Sequence, residues 1–108
     1  MIAVIFELWP EKGRDKDYFQ LAAALKGELE AIEGFISVER FESVSEPGKF
    51  VSLSFWRDEA AVARWRRQMN HRRAQQAGRA GIFKNYRLRV ASVIRDYGMR
   101  EREQVPKE

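Results

Sequence analysis

The 108-residue chain contains no cysteine and a single histidine, His71. The first absence excludes disulfides and thiolate metal sites. The second removes any histidine-rich constellation, so no protein-built metal site is expected. No uninterrupted apolar run reaches the length of a membrane span. The opening "MIAVIFELWPEKG" lacks a basic first segment and carries Glu7 early. It does not read as a secretory signal, and a cytoplasmic location is the expectation. Acids are scarce in one region: residues 60–95 hold ten bases and no acid, whereas residues 1–59 hold twelve acids and seven bases. The net charge of +4 hides this separation, which suggests intersubunit electrostatics, an anionic ligand or nucleic acid.

What is present suits one globular domain, expected over residues 1–98, with a charged tail over 99–108. "IAVIFELW" (2–9) reads as a strand with Ile2, Val4, Phe6 and Leu8 on one face and Ala3, Ile5 and Trp9 around Glu7 on the other. From Asp15 the period becomes helical: Tyr18, Leu21, Ala22, Leu25, Leu29 and Ile32 form a stripe over roughly 15–32. Asp15 and Asp17 favour the helix start, and Gly34 sits where a glycine just past the helix end is expected. "FISVERFE" (35–42) and "KFVSLSFW" (49–56) form a hairpin across the Pro47-Gly48 turn. Asp58 caps a second helix, "EAAVARWRRQM", with Val62, Trp65 and Met69 on a stripe. "YRLRVASVIRDYG" (86–98) is the last strand, with Leu88, Val90 and Ile94 on one face.

The order β-α-β-β-α-β predicts an α+β, ferredoxin-like fold: a four-stranded antiparallel sheet with two helices on one face. Strands 1 and 4 carry apolar residues on both faces, yet the helices cover one. A homodimer with sheets packed face to face is the expected remedy.

"FWRDEAAVARWRRQMNHRRAQQAG" followed by "YRLRVASVIRDYG" resembles the antibiotic-biosynthesis-monooxygenase family of small dimeric α+β-barrel proteins, as do "IEGF" after helix 1 and the "SFW" strand end. The resemblance implies a pocket between sheet and helices, walled by helix 2, where a family tryptophan matches Trp65. It also implies oxidation of polycyclic phenols, anthrones or quinols by O2 with no cofactor, the deprotonated substrate supplying the electron. A related branch degrades heme and pairs that tryptophan with a histidine ten residues later and an asparagine in strand 1. Here those positions hold Gln75 and Phe6, which demotes heme.

Trp65 suits core packing and pocket wall alike. His71 is the natural proton acceptor from a phenol, being the side chain whose unperturbed pKa lies nearest neutrality. In a straight helix it lies about 120° from Trp65, on a polar face, and only a break near Asn70 turns it to the pocket. Asn70 is read as a substrate hydrogen-bond partner or as the end of a helical segment. Phe6 would help wall the pocket. Arg89 would stabilise a substrate anion or pair with an acid across the dimer interface, and Tyr86 would donate a hydrogen bond to a ligand. A binding or stress-response protein with the same pocket and no turnover is the alternative. The arginine-rich "ARWRRQMNHRRAQQAGR" (63–79) would serve nucleic acid only with exposed aromatics beside it, and Trp65 falls on the apolar stripe instead. Arg64, Arg66, Arg67, Arg72, Arg73 and Arg79 are therefore read as a solvated flank.

Overall fold

The computed structural model describes residues 1–75 and 81–107, with residues 70–75 as backbone alone. Six elements follow one another: β1 (Ile2–Pro10), α1 (Asp15–Glu30), β2 (Phe35–Glu42), β3 (Phe50–Trp56), α2 (Glu59–Gln75) and β4 (Phe83–Ser92). The four strands form one antiparallel sheet in the order β2-β3-β1-β4, so the expected ferredoxin-like arrangement is what the chain adopts. The central strand β1 carries β-branched and aromatic side chains on both faces, which suits a position paired on both edges.

Alternation along the strands sorts the two faces. Val4, Phe6 and Leu8 of β1 lie in register with Ser54, Ser52 and Phe50 of β3 and with Val90, Leu88 and Tyr86 of β4. This face carries the helices. α1 buries Tyr18, Ala22, Leu25 and Leu29, the i, i+4, i+7, i+11 spacing that its sequence stripe anticipates. α2 buries Ala61 and Val62. The Asp58 carboxylate accepts from the Ala61 backbone N–H at 2.9 Å, which confirms it as the cap of α2. That bond, ahead of the Arg57 guanidinium beside it, holds the Asp58 carboxyl below the usual carboxylate range.

Three boundaries differ from the sequence expectation. α1 ends at Glu30 with Ala31 as its cap in the right-handed region, so Gly34 is not the residue that terminates the helix. Gly34 does adopt φ +92°, and it does so where β2 begins. Its carbonyl accepts from the Arg57 N–H at 2.7 Å, and a Cβ there would meet the Ala61 Cβ at 2.7 Å. The glycine thus lets this turn lie directly against α2. α2 runs unbroken to Gln75, five residues past Asn70, so Asn70 does not end a helical segment. β4 spans Phe83–Ser92 instead of 86–98. Ile94, Arg95 and Tyr97 therefore lie beyond the strand, where Gly98 N–H donates to the Glu101 carbonyl and Arg102 sits over the Tyr97 ring at 5.4 Å.

Candidate active site

Between sheet and helices the core divides into two clusters. One gathers Val4, Leu29, Trp56, Ala61 and Val62, with Trp65 packed against it. The other gathers Leu8, Tyr18, Phe50 and Ile82, with Phe6, Leu21 and Phe83. A cavity of about 850 Å³ lies between them, lined from both sides by Val4, Leu29, Val62 and Trp65 and by Phe6, Tyr18, Ile82 and Phe83. That volume falls within the range of small-molecule sites, roughly 300–1,000 Å³.

Strand register sets the floor. One row across the sheet reads Arg40, Ser52, Phe6, Leu88, and the next reads Val38, Ser54, Val4, Val90. All eight line the cavity. The floor is therefore polar at the β2–β3 end and apolar at the β1–β4 end. The apolar end is aromatic as well: the Phe6 ring lies 5.6 Å from Tyr86 and 5.9 Å edge-on from Phe83. α2 supplies Val62, Trp65, Arg66 and Met69 to the wall, the spacing of one helical face. Trp65 stacks on Trp56 at 6.4 Å, and the Trp56 indole N–H donates to Ser54 Oγ at 2.9 Å. Trp65 is thus both core packing and cavity wall.

Phe6, Trp65 and Tyr86, three of the site residues expected from sequence, meet at this cavity. Arg89 does not. It lies on the opposite face of the sheet, where its guanidinium bonds Glu7 at 2.6 Å within the same chain. Lys49 completes that group at 2.9 Å from Glu7 and sits over the Trp9 ring at 5.1 Å. The hydrogen bond from Lys49, then its charge and those of Arg89, hold the Glu7 carboxyl low against a smaller desolvation penalty. Within the chain the acid that Arg89 meets is this neighbour on β1, because strand pairing sets Glu7 opposite Arg87 and diagonal to Arg89. Asn70 and His71 fall on α2, and their side chains, with those of Arg72, Arg73 and Gln75, lie outside the described ones; Arg79 lies outside the described residues altogether.

Tyr18 and Arg40 carry no mark of a site in the sequence alone. The Tyr18 hydroxyl and Arg40 Nε are both shielded from solvent, and neither has a hydrogen-bond partner among the described residues. Burial pushes the Tyr18 phenol up, against the charge of the nearby Arg40 and the hydrogen bond that its guanidinium is close enough to offer the hydroxyl. The usable signal for Arg40 was its place in "FISVERFE", two residues after Val38 and so on the same face. Among the described residues no three His, Asp or Glu side chains converge to hold a metal ion, and no helix is long and apolar enough to cross a membrane.

Comparison with known proteins agrees with this geometry. The chain is 46% identical over 93 residues to a Pyricularia oryzae protein named jasmonate monooxygenase ABM, covering 86% of this chain and 43% of that one. The chain thus spans less than half the length of this curated relative. Among solved structures, a candidate antibiotic biosynthesis monooxygenase from Deinococcus radiodurans superposes with a TM-score of 0.76 at 14% identity, covering 92% of this chain and 98% of that one. The heme-degrader MhuD of Mycobacterium tuberculosis, with two hemes bound, superposes with a TM-score of 0.70 at 17% identity, covering 91% and 100%. At these identities the two structures establish the fold alone. The family model for antibiotic biosynthesis monooxygenase matches residues 1–77, and the chain belongs to that family.

Proposed function

We propose that the cavity is the site of a monooxygenase acting with O2 on a small, ring-bearing substrate, and that the substrate itself activates oxygen. The observation that carries this reading is the aromatic, two-sided cavity of about 850 Å³. Such a lining suits an apolar ring system and leaves a few polar groups to fix orientation. For an anthrone the reaction balances without a further reductant: anthrone and O2 give anthraquinone and water. Deprotonation at the reacting carbon yields the enolate. The enolate passes one electron to O2, the radical pair joins as a hydroperoxide, and loss of water leaves the carbonyl.

In this reading Phe6, Trp65 and Tyr86 wall the ring. Because α2 runs unbroken past Asn70, His71 sits about 120° around the helix from Trp65, so its proposed role is to take the substrate's proton through a bridging water at the cavity rim and not by direct contact. Asn70, about 140° from Trp65, is assigned no contact with the ring. Heme is not favoured: the strand-1 position where the heme branch carries asparagine here presents the Phe6 ring, packed on Phe83 and Tyr86. The relative named for jasmonate supports a second substrate type, a cyclopentanone carboxylate.

The uncovered face of the sheet carries Ile5, Val51, Leu53 and Phe55 around the Glu7 ion group, and we propose that it pairs with a second copy of the chain. Oxygen-electrode traces of chelator-treated protein with anthrone test the activity. Protein-dependent uptake, reduced in His71→Ala and Trp65→Phe, supports the reading. Uptake equal to the spontaneous background with both anthrone and jasmonate removes it and leaves a binding role.

A further inference from the structure

One end of the cavity is built for a group that apolar packing does not explain. Arg40 reaches it from β2 and Tyr18 from α1, one row of the floor and one turn of the roof. Both bring a polar atom that is shielded from solvent and has no partner among the described residues. Folded chains rarely leave such atoms orphaned, since burying a donor without an acceptor is costly. Here the two orphans lie on the wall of one cavity. A ligand oxygen placed between them would complete both.

The charge of the lining indicates what kind of oxygen. Arg40, Arg66 and Lys84 line the cavity, and among its described lining residues there is no Asp or Glu. Arg66 and Lys84 are exposed at the rim, where water screens them, whereas Arg40 Nε is shielded. Resting on the reading of this cavity as the substrate site, we propose that Arg40 and Tyr18 hold an anionic oxygen of the substrate, with its apolar ring extending over Phe6 and Leu88. A guanidinium offers a planar fork of donors to a carboxylate or an ionised ring oxygen, and a neutral phenol adds one more. Burial keeps Tyr18 protonated, so it donates. The row Arg40, Ser52, Phe6, Leu88 spans three interstrand spacings, about 14 Å between outer strands. The substrate is therefore an organic acid or acidic phenol, anionic at one end and fused-ring or alicyclic at the other. Arg40, and not Arg89 on the opposite face, is then the binding cation of this sheet.

Calorimetric titration of the full chain at pH 8 tests this with three probes: 2-naphthoate, its neutral methyl ester, and ionised 4-nitro-1-naphthol. Wild type is expected to bind at least one anion about tenfold or more tighter than the ester, the usual scale for a charge-assisted contact. Arg40→Gln should erase that preference and leave ester affinity within about twofold, and Tyr18→Phe should weaken the anion about three- to fivefold. Arg40→Lys should recover part of the loss, keeping the charge without the fork. Loss confined to the naphthoate identifies a carboxylate; loss confined to the nitronaphthol identifies an ionised ring oxygen. No anion preference in wild type, equal loss for ester and anion, or no loss in Arg40→Gln each overturns the proposal. Should Arg40→Gln fail to fold by circular dichroism, Tyr18→Phe decides, since it removes one hydroxyl and keeps the packing. Anion binding without oxygen uptake removes the monooxygenase reading and keeps this one. Oxygen uptake unchanged by Arg40→Gln does the reverse.

Discussion

Trp65 carries two loads, and truncating it separates them. Its ring packs on the Val4, Leu29, Trp56, Ala61 and Val62 cluster and stacks on Trp56 at 6.4 Å with the planes 29° apart. A fully buried aromatic truncated to alanine loses roughly 3–5 kcal/mol. Trp65 is part-exposed toward the cavity, so about half of that applies, with about 0.5–1.5 kcal/mol from the ring pair. Trp65→Ala should therefore cost about 2–4 kcal/mol, and Trp65→Phe, which keeps a ring on Trp56, about 1 kcal/mol. For a domain of this size that corresponds to a Tm lower by roughly 10–30 °C in the alanine variant. Urea denaturation followed by far-ultraviolet circular dichroism measures it, with titration of an aromatic ligand on the same samples. A loss below about 0.5 kcal/mol would refute the core role. A full stability loss in Trp65→Phe with unchanged ligand affinity would refute the wall role.

Among the described loop glycines, Gly34→Ala should be the most damaging single-methyl addition. The new Cβ meets the Ala61 Cβ at 2.7 Å, and φ +92° is strained for any side chain. Strain of about 1–2 kcal/mol and overpacking of about 1–3 kcal/mol together give a loss of roughly 2–5 kcal/mol, which urea midpoints would report; a loss under about 1 kcal/mol contradicts the close approach. Acid stability should depend on Glu7. Lys49 and Arg89 hold its carboxyl below the ordinary 4.5, so the stability it contributes is complete above that pH and is lost as the pH falls through the lowered value. Glu7→Gln should flatten the acid limb of a stability-against-pH curve, and an unchanged limb would show the ion group to be inert. Light scattering in line with gel filtration should give a dimer mass at micromolar protein, and a monomer mass would contradict the paired-sheet proposal.

The elements were legible because the hydrophobic period changes cleanly. The period of two in "IAVIFELW" and the 3.6 period from Tyr18 to Leu29 needed no tertiary information. What failed was local. α2 continues past Asn70 because nothing in "NHRRAQ" forbids a helix once the preceding turns are packed, whatever Asn prefers in isolation. β4 begins at Phe83 because that residue pairs with Pro10 of β1, a contact between chain segments that no local pattern encodes. The cavity walls Phe6 and Trp65 were visible through their faces. Glu7 as the neighbour of Arg89 was not legible, because the sheet face of Arg89 follows from register and Glu7 is 82 residues away in sequence. Tyr18 and Arg40 escaped because each looks ordinary alone, a helix-stripe ring and a strand charge. Only their joint burial on one cavity marks them.

The measurement that bears most directly on the central claim uses 18O2 with anthrone and a cavity-filling variant, Leu88→Trp. Leu88 lies on the cavity floor and is 51% exposed, so a larger ring there should narrow the cavity without breaking the core. Mass spectrometry should find one 18O in each anthraquinone formed by wild type, at a rate above background that falls at least about tenfold in Leu88→Trp while its Tm holds. Turnover that is absent in wild type, or equally fast with the cavity filled, would contradict the assignment of this cavity as the oxygenation site.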